Sequence, residues 1–160
     1  MEITRNRHSL GGSNYHMQFT PKRRKTVYRN RKIQALVKAA FEYKAFKLGV
    51  TIEALEFGPD HVHLFISNCR KYSVPQLVQH FKGYSSRIVR KHLPYDVMYY
   101  NNGRAFWSGG YFYESIGRVT SDVVKFYIDR QQKKHWIHLR SENIEAQSPM
   151  VQMRLESFSG

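Results

Sequence analysis

The chain has 160 residues, with 26 Lys and Arg against 12 Asp and Glu, a formal net charge of +14, 41% hydrophobic and 14% aromatic content. That composition supports one compact domain with its own core, and no run of about 18 apolar residues is present to span a membrane. The opening MEITRNRHSLGG lacks the apolar stretch of a secretory signal, and a single cysteine, Cys69, excludes an internal disulfide or a cysteine-rich zinc site, so a cytoplasmic protein is expected.

In chain order, residues 1–12 show no regular pattern, and 14-NYHMQFT-20 reads as a first strand, stopped by Pro21, which cannot donate to a ladder. A basic turn occupies 22–29. Residues 31–49 predict a helix: Ile33, Leu36, Val37, Ala40, Phe41 and Leu48 recur near helical period, and Gly49 is a good stop. A second strand is expected over 50–57, then turn chemistry at Gly58-Pro59-Asp60, then a third strand over 61–67. Ser73 with Gln76 three residues later, and Pro75 between them, has the form of a capping box for a helix over 74–93. Its inward residues are Val74, Leu77, Val78, Phe81, Ile88 and Val89, and Gly83 is its weak point. Pro94 ends it. Residues 94–110 read as a long aromatic connection, 110–117 as a fourth strand, and 121–136 as a last helix capped by Thr120 or Ser121. A single domain over 1–140 is expected, followed by a tail or arm over 141–160.

The order β-α-β-β-α-β followed by a helix predicts an α+β fold with a ferredoxin-like antiparallel sheet. Both crossover helices then cover one face, and the other stays open unless the last helix covers it.

The excess charge is clustered. Residues 22-KRRKTVYRNRK-32 hold seven basic groups and no acid, and 82–92 and 130–140 repeat the bias. Such a surface attracts polyanions. With eleven tyrosines in the chain, rings for base stacking are also at hand, a combination suited to single-stranded nucleic acid.

The chemistry points to 58-GPDHVHLFI-66. Alternation along a strand sends Val62, Leu64 and Ile66 under the helices, and His61, His63 and Phe65 to the other face. Two imidazoles so placed can converge on one cation. In the last helix Tyr127 and Gln131 are spaced i, i+4 and share a face. Gln131 can then supply an oxygen ligand, and Tyr127 a phenol beside the ion. Phenol, with a pKa of about 10, is a weak nucleophile at neutral pH. A divalent cation that polarises a bound phosphodiester offsets that weakness.

These blocks resemble the single-tyrosine HUH transposases of small bacterial and archaeal insertion sequences, the IS200-like class. The resemblance covers about residues 14–137 and rests on GPDHVHLFI, YHMQFTPKRR, VQHFKGYSSRIVRKHLP, FWSGGYFYESIG and YIDRQ. It implies a Rep/relaxase-type sheet and a homodimer in which the tyrosine helix can serve the partner's site. It implies His61, His63 and Gln131 as ligands of Mg2+ or Mn2+, and Tyr127 as the nucleophile that forms a 5′-phosphotyrosine bond. The implied substrate is single-stranded DNA with hairpins near the element ends, and no nucleotide cofactor is needed. By cluster and matching block, Arg23, Arg24, Lys25, Lys82 and Arg87 are the expected phosphate contacts. The segment 108-SGGYF departs mildly from the family pattern in a turn.

Three rivals remain open to the sequence. A relaxase or replication-type nickase shares the metal site and tyrosine but is usually larger. A domesticated relative acts on chromosomal repeats. A non-catalytic RNA-recognition-type module shares the βαββαβ order, but exposes stacking rings on its central strands where this chain has His61 and His63.

Overall fold

The computed structural model describes residues 4–6, 9–11, 13–102, 105–117 and 120–130. Two compact units divide at Val119: Met1–Val119 and Thr120–Gly160. The division falls before the last helix, and both the expected boundary at residue 140 and the expected tail over 141–160 lie outside the described residues.

The first unit opens on a small antiparallel pair, β1 (Thr4–Asn6) and β2 (Ser9–Gly11), in a stretch where no regular element is predicted. Then come β3 (Asn14–Phe19), α1 (Arg31–Leu48), β4 (Thr51–Phe57), β5 (Val62–Ser67), α2 (Val74–His92), α3 (Pro94–Asn101) and β6 (Phe112–Ile116). The main sheet has the order β4-β5-β3-β6, with every neighbouring pair antiparallel. This is the expected ferredoxin-like α+β arrangement: β5 returns between the two strands that α1 connects. The described part of the second unit is a helix, α4, over 121–130, whose N-terminus is capped by Thr120: its Oγ1 accepts from Val123 N at 3.3 Å.

Local chemistry accounts for the helix ends. Asn30 caps α1, its side chain accepting from Lys32 N and Ile33 N. Gly49 ends it in the left-handed region at φ 69°, which a residue without a Cβ enters freely. The capping box of α2 is formed, with Gln76 N donating to Ser73 Oγ and Ser73 N to Gln76 Oε1. A cap of this kind contributes about 0.5–2 kcal/mol.

The aromatic segment 94–110 is less irregular than its sequence suggests. Pro94 ends α2 and also opens α3, at a position where a missing N–H costs nothing. Val97, Phe106 and Trp107 are buried in the core. The Trp107 ring stacks on Phe41 and its Nε1 donates to Ser85 Oγ at 3.0 Å, which satisfies the buried indole. The basic stretch is likewise not all solvated. Of two short 3-10 turns, Lys22–Arg24 and Val27–Arg29, the second sends Val27 and Tyr28 inward.

Met17 and Phe19 of β3 join Val62, Leu64 and Ile66 of β5, Phe41 of α1 and Phe81 of α2 in one core. Alternation therefore sends His16, His63 and Phe65 to the opposite face.

Candidate active site

His63 points away from the helices as its strand position requires, but it is not open to solvent. It is 1% exposed, and His16 and Phe65 beside it are fully buried. The three rings pack against one another. His16 stacks on Phe65 with centroids 4.5 Å apart and lies 5.1 Å from His63. His61 sits just before β5, with its ring 5.0 Å from that of His63 and nearly perpendicular to it.

Both histidines are anchored through the same ring nitrogen. Nδ1 of His61 lies 2.8 Å from Asp60 Oδ1, and Asp60 is itself paired with Arg24 at 3.3 Å. Nδ1 of His63 lies 2.9 Å from His16 Nε2. Nε2 of His63 is buried and has no hydrogen-bond partner. Burial, with further contributions from neighbouring His61 and His16, pushes the pKa of His63 down to about 2, so its imidazole is neutral at physiological pH.

A neutral ring with Nδ1 tied and Nε2 without a partner has the donor chemistry of a metal ligand, and in this respect the residues present fit a divalent cation. Among the described residues no group of three or more His, Cys, Asp or Glu side chains could hold a metal on its own. The expected third ligand, Gln131, lies outside the described residues.

Tyr127 is on α4, half-buried, with the guanidinium of Arg130 5.1 Å above its ring and Phe126 edge-on at 5.7 Å. It belongs to the second unit, and the histidines to the first.

The basic candidates separate into different situations. Arg23, Arg24 and Lys25 are exposed, and Arg23 and Arg24 both adopt positive φ, 58° and 50°. Two successive non-glycine residues in that region are held there by their surroundings. Arg87 is exposed and lies over the Tyr84 ring at 5.4 Å. Lys82, also expected as a phosphate contact, is placed differently from these arginines. It is 9% exposed, and its ammonium donates to Ser108 O at 2.7 Å and Gly110 O at 2.9 Å. Burial lowers its pKa, and its charge holds the 108–110 turn in place.

Residues 9–131 match the family described as IS200-like transposase. The chain belongs to the IS200-like transposase family. This transposase is 27% identical over 127 residues to the transposase for insertion sequence element IS200 of Salmonella typhimurium, covering 78% of this chain and 80% of that one. The relative from Salmonella typhi gives the same figures, 27% over 127 residues. Among solved structures, a candidate transposase from Deinococcus radiodurans R1 superposes with a TM-score of 0.63 at 24% identity, over 81% of this chain and 98% of that one. A REP-associated tyrosine transposase bound to a REP hairpin gives 0.51 at 13% identity, over 88% and 74%. The two structures share the fold. Membership makes the chain a DNA-cleaving enzyme, and the matched range spans His61, His63, Tyr127 and Gln131.

Three neighbours of these histidines escape a reading of the sequence alone: His16 beside His63, Asp60 beside His61, and Glu114, whose Oε2 lies 3.8 Å from His16 Nδ1. Asp60 was legible only as a turn residue. His16 was legible only as part of the matching block YHMQFTPKRR, because it lies 47 residues from the histidine it touches.

Proposed function

We propose that this transposase cuts and rejoins single-stranded DNA at hairpin-bearing element ends through a 5′-phosphotyrosine on Tyr127, assisted by Mg2+ or Mn2+. The observation that carries the reading is the pair of imidazoles tied by Nδ1, with the buried Nε2 of His63 left without a partner. His61 and His63 would hold the cation, with Gln131 as the oxygen ligand. When bound, the cation supplies a positive charge that polarises a phosphate and stabilises charge developing on it.

The phenolic oxygen of Tyr127 attacks phosphorus, and the bond from phosphorus to the 3′ oxygen breaks. The phenolic proton is released and the departing 3′ oxygen ends as a hydroxyl. One phosphate ester replaces another, so the bond energy is kept. A 3′-hydroxyl reverses the step by attacking the same phosphorus and expelling the phenol, which joins strands without a nucleotide cofactor. The basic surface around Arg23, Arg24 and Lys25 draws in the DNA backbone. The hairpin in the REP-associated transposase structure supports a folded single strand as substrate. Two subunits, each lending its tyrosine helix, would form the working dimer.

The RNA-recognition alternative is less well supported. It needs exposed stacking rings on the central strands, whereas His16, His63 and Phe65 of β3 and β5 are all buried.

The test is incubation with a hairpin-bearing single strand and Mn2+, followed by mass spectrometry. A DNA-linked peptide containing Tyr127 is expected. Tyr127→Phe should bind the hairpin and form no adduct. Cleavage that persists in Tyr127→Phe, or an adduct on another residue, rejects the reading.

A further inference from the structure

We infer that His16 is a positioning residue of the metal site: it accepts the Nδ1 proton of His63, and so keeps the lone pair of His63 on the nitrogen that would face the cation. The inference rests on the metal reading above and adds residues to it.

The sheet register makes the contact. His16 lies opposite Phe65, and His63 opposite Gln18, so His16 and His63 are diagonal neighbours on one face of β3 and β5. Between His16 Nε2 and His63 Nδ1, 2.9 Å apart, one nitrogen must carry the hydrogen and the other the lone pair. Glu114, an electrostatic neighbour rather than a hydrogen-bond partner, favours one of the two arrangements. It is the cross-strand partner of His16 on β6, and its Oε2 lies 3.8 Å from His16 Nδ1. A carboxylate beside Nδ1 favours the proton on that atom. Nε2 of His16 is then the acceptor, Nδ1–H of His63 the donor, and Nε2 of His63 keeps its lone pair. The opposite arrangement would place a hydrogen on His63 Nε2 and block a cation there. Stacking on Phe65, 8° from parallel, holds the His16 ring in the plane this relay needs.

Metal-bound histidines are commonly oriented through their other nitrogen, and loss of such a support lowers metal affinity about 10–100-fold. Here the two candidate ligands have different supports. Asp60 contacts His61 directly, while the Glu114 charge reaches His63 through a second imidazole.

The experiment uses the full chain. Nitrogen-15 spectra of the metal-free wild type should show His63 protonated at Nδ1; protonation at Nε2 overturns the inference. Titration with Mn2+, read by its electron-spin resonance, should show affinity about 10–100-fold weaker in His16→Phe, which keeps the stack on Phe65 and removes the acceptor. His16→Gln restores an acceptor oxygen and should recover most of the loss. Wild-type affinity in His16→Phe overturns the inference, and if that variant fails to fold, the spectra of the wild type decide. His63→Ala separates the two levels: if it binds Mn2+ as wild type does, the metal reading itself fails.

Discussion

The α-carbon of Gly58 faces the ring of His61 so closely that a methyl group built on it would fall 2.5 Å from Nδ1 and 2.6 Å from Nε2. Gly58 N also donates to His61 O at 2.8 Å, so the turn closes on itself. Glycine leaves room here for the His61 ring where it sits. Gly58→Ala should drive the ring off Asp60, weaken Mn2+ binding about tenfold or more, and slow strand cleavage in parallel. The far-ultraviolet dichroism should be unchanged. Wild-type Mn2+ affinity in this variant would show that the ring need not sit where it does.

Lys82 and the exposed arginines should part company. Lys82→Met removes two charge-assisted hydrogen bonds to Ser108 O and Gly110 O. Water can replace the lysine at these carbonyls, so a loss of about 1–2 kcal/mol in urea unfolding is expected. The salt dependence of hairpin binding should not change. If Arg23 or Arg24 meets phosphate, its replacement by Ala should instead lower the salt slope by about 0.7–0.9 for each phosphate it neutralised and leave stability nearly intact.

Gly83 lies exposed inside α2, and a Cβ there would meet nothing within 4 Å. Gly83→Ala should therefore stabilise the protein by about 0.5–1 kcal/mol. For a chain of this size, each kcal/mol raises the melting temperature by about 2–4 °C. A lower melting temperature would mean that α2 needs flexibility at this point.

Cys69 is fully buried, its Sγ donates to Ser67 O, and burial pushes its pKa up to about 12 from 9.0. Because the folded value is the higher one, this thiol's contribution to stability is complete below about pH 9 and is lost as the pH rises toward 12. At pH 8 the native protein should react with a disulfide reagent far more slowly than the urea-unfolded chain. Equal rates would place the thiol at the surface.

Much of the architecture was legible in local patterns. Alternation in HVHLFIS separated Val62, Leu64 and Ile66 from His63 and Phe65, because a strand turns successive side chains to opposite faces whatever lies around it. The Ser73–Gln76 box and the Gly49 stop were equally local, since each closes hydrogen bonds within one turn.

What no local pattern contained was the support of the site. His16 reaches His63 only because β5 pairs beside β3 in one particular register, and Glu114 reaches His16 only because β6 pairs on the other edge of β3. Whether a lysine such as Lys82 meets solvent or two backbone carbonyls depends on a turn 26 and 28 residues away. Residue types and their short spacings determined the strands, the helices and the candidate ligands. The protonation and orientation of those ligands were decided by strand register, because a hydrogen bond depends on distance in space and not on separation along the chain.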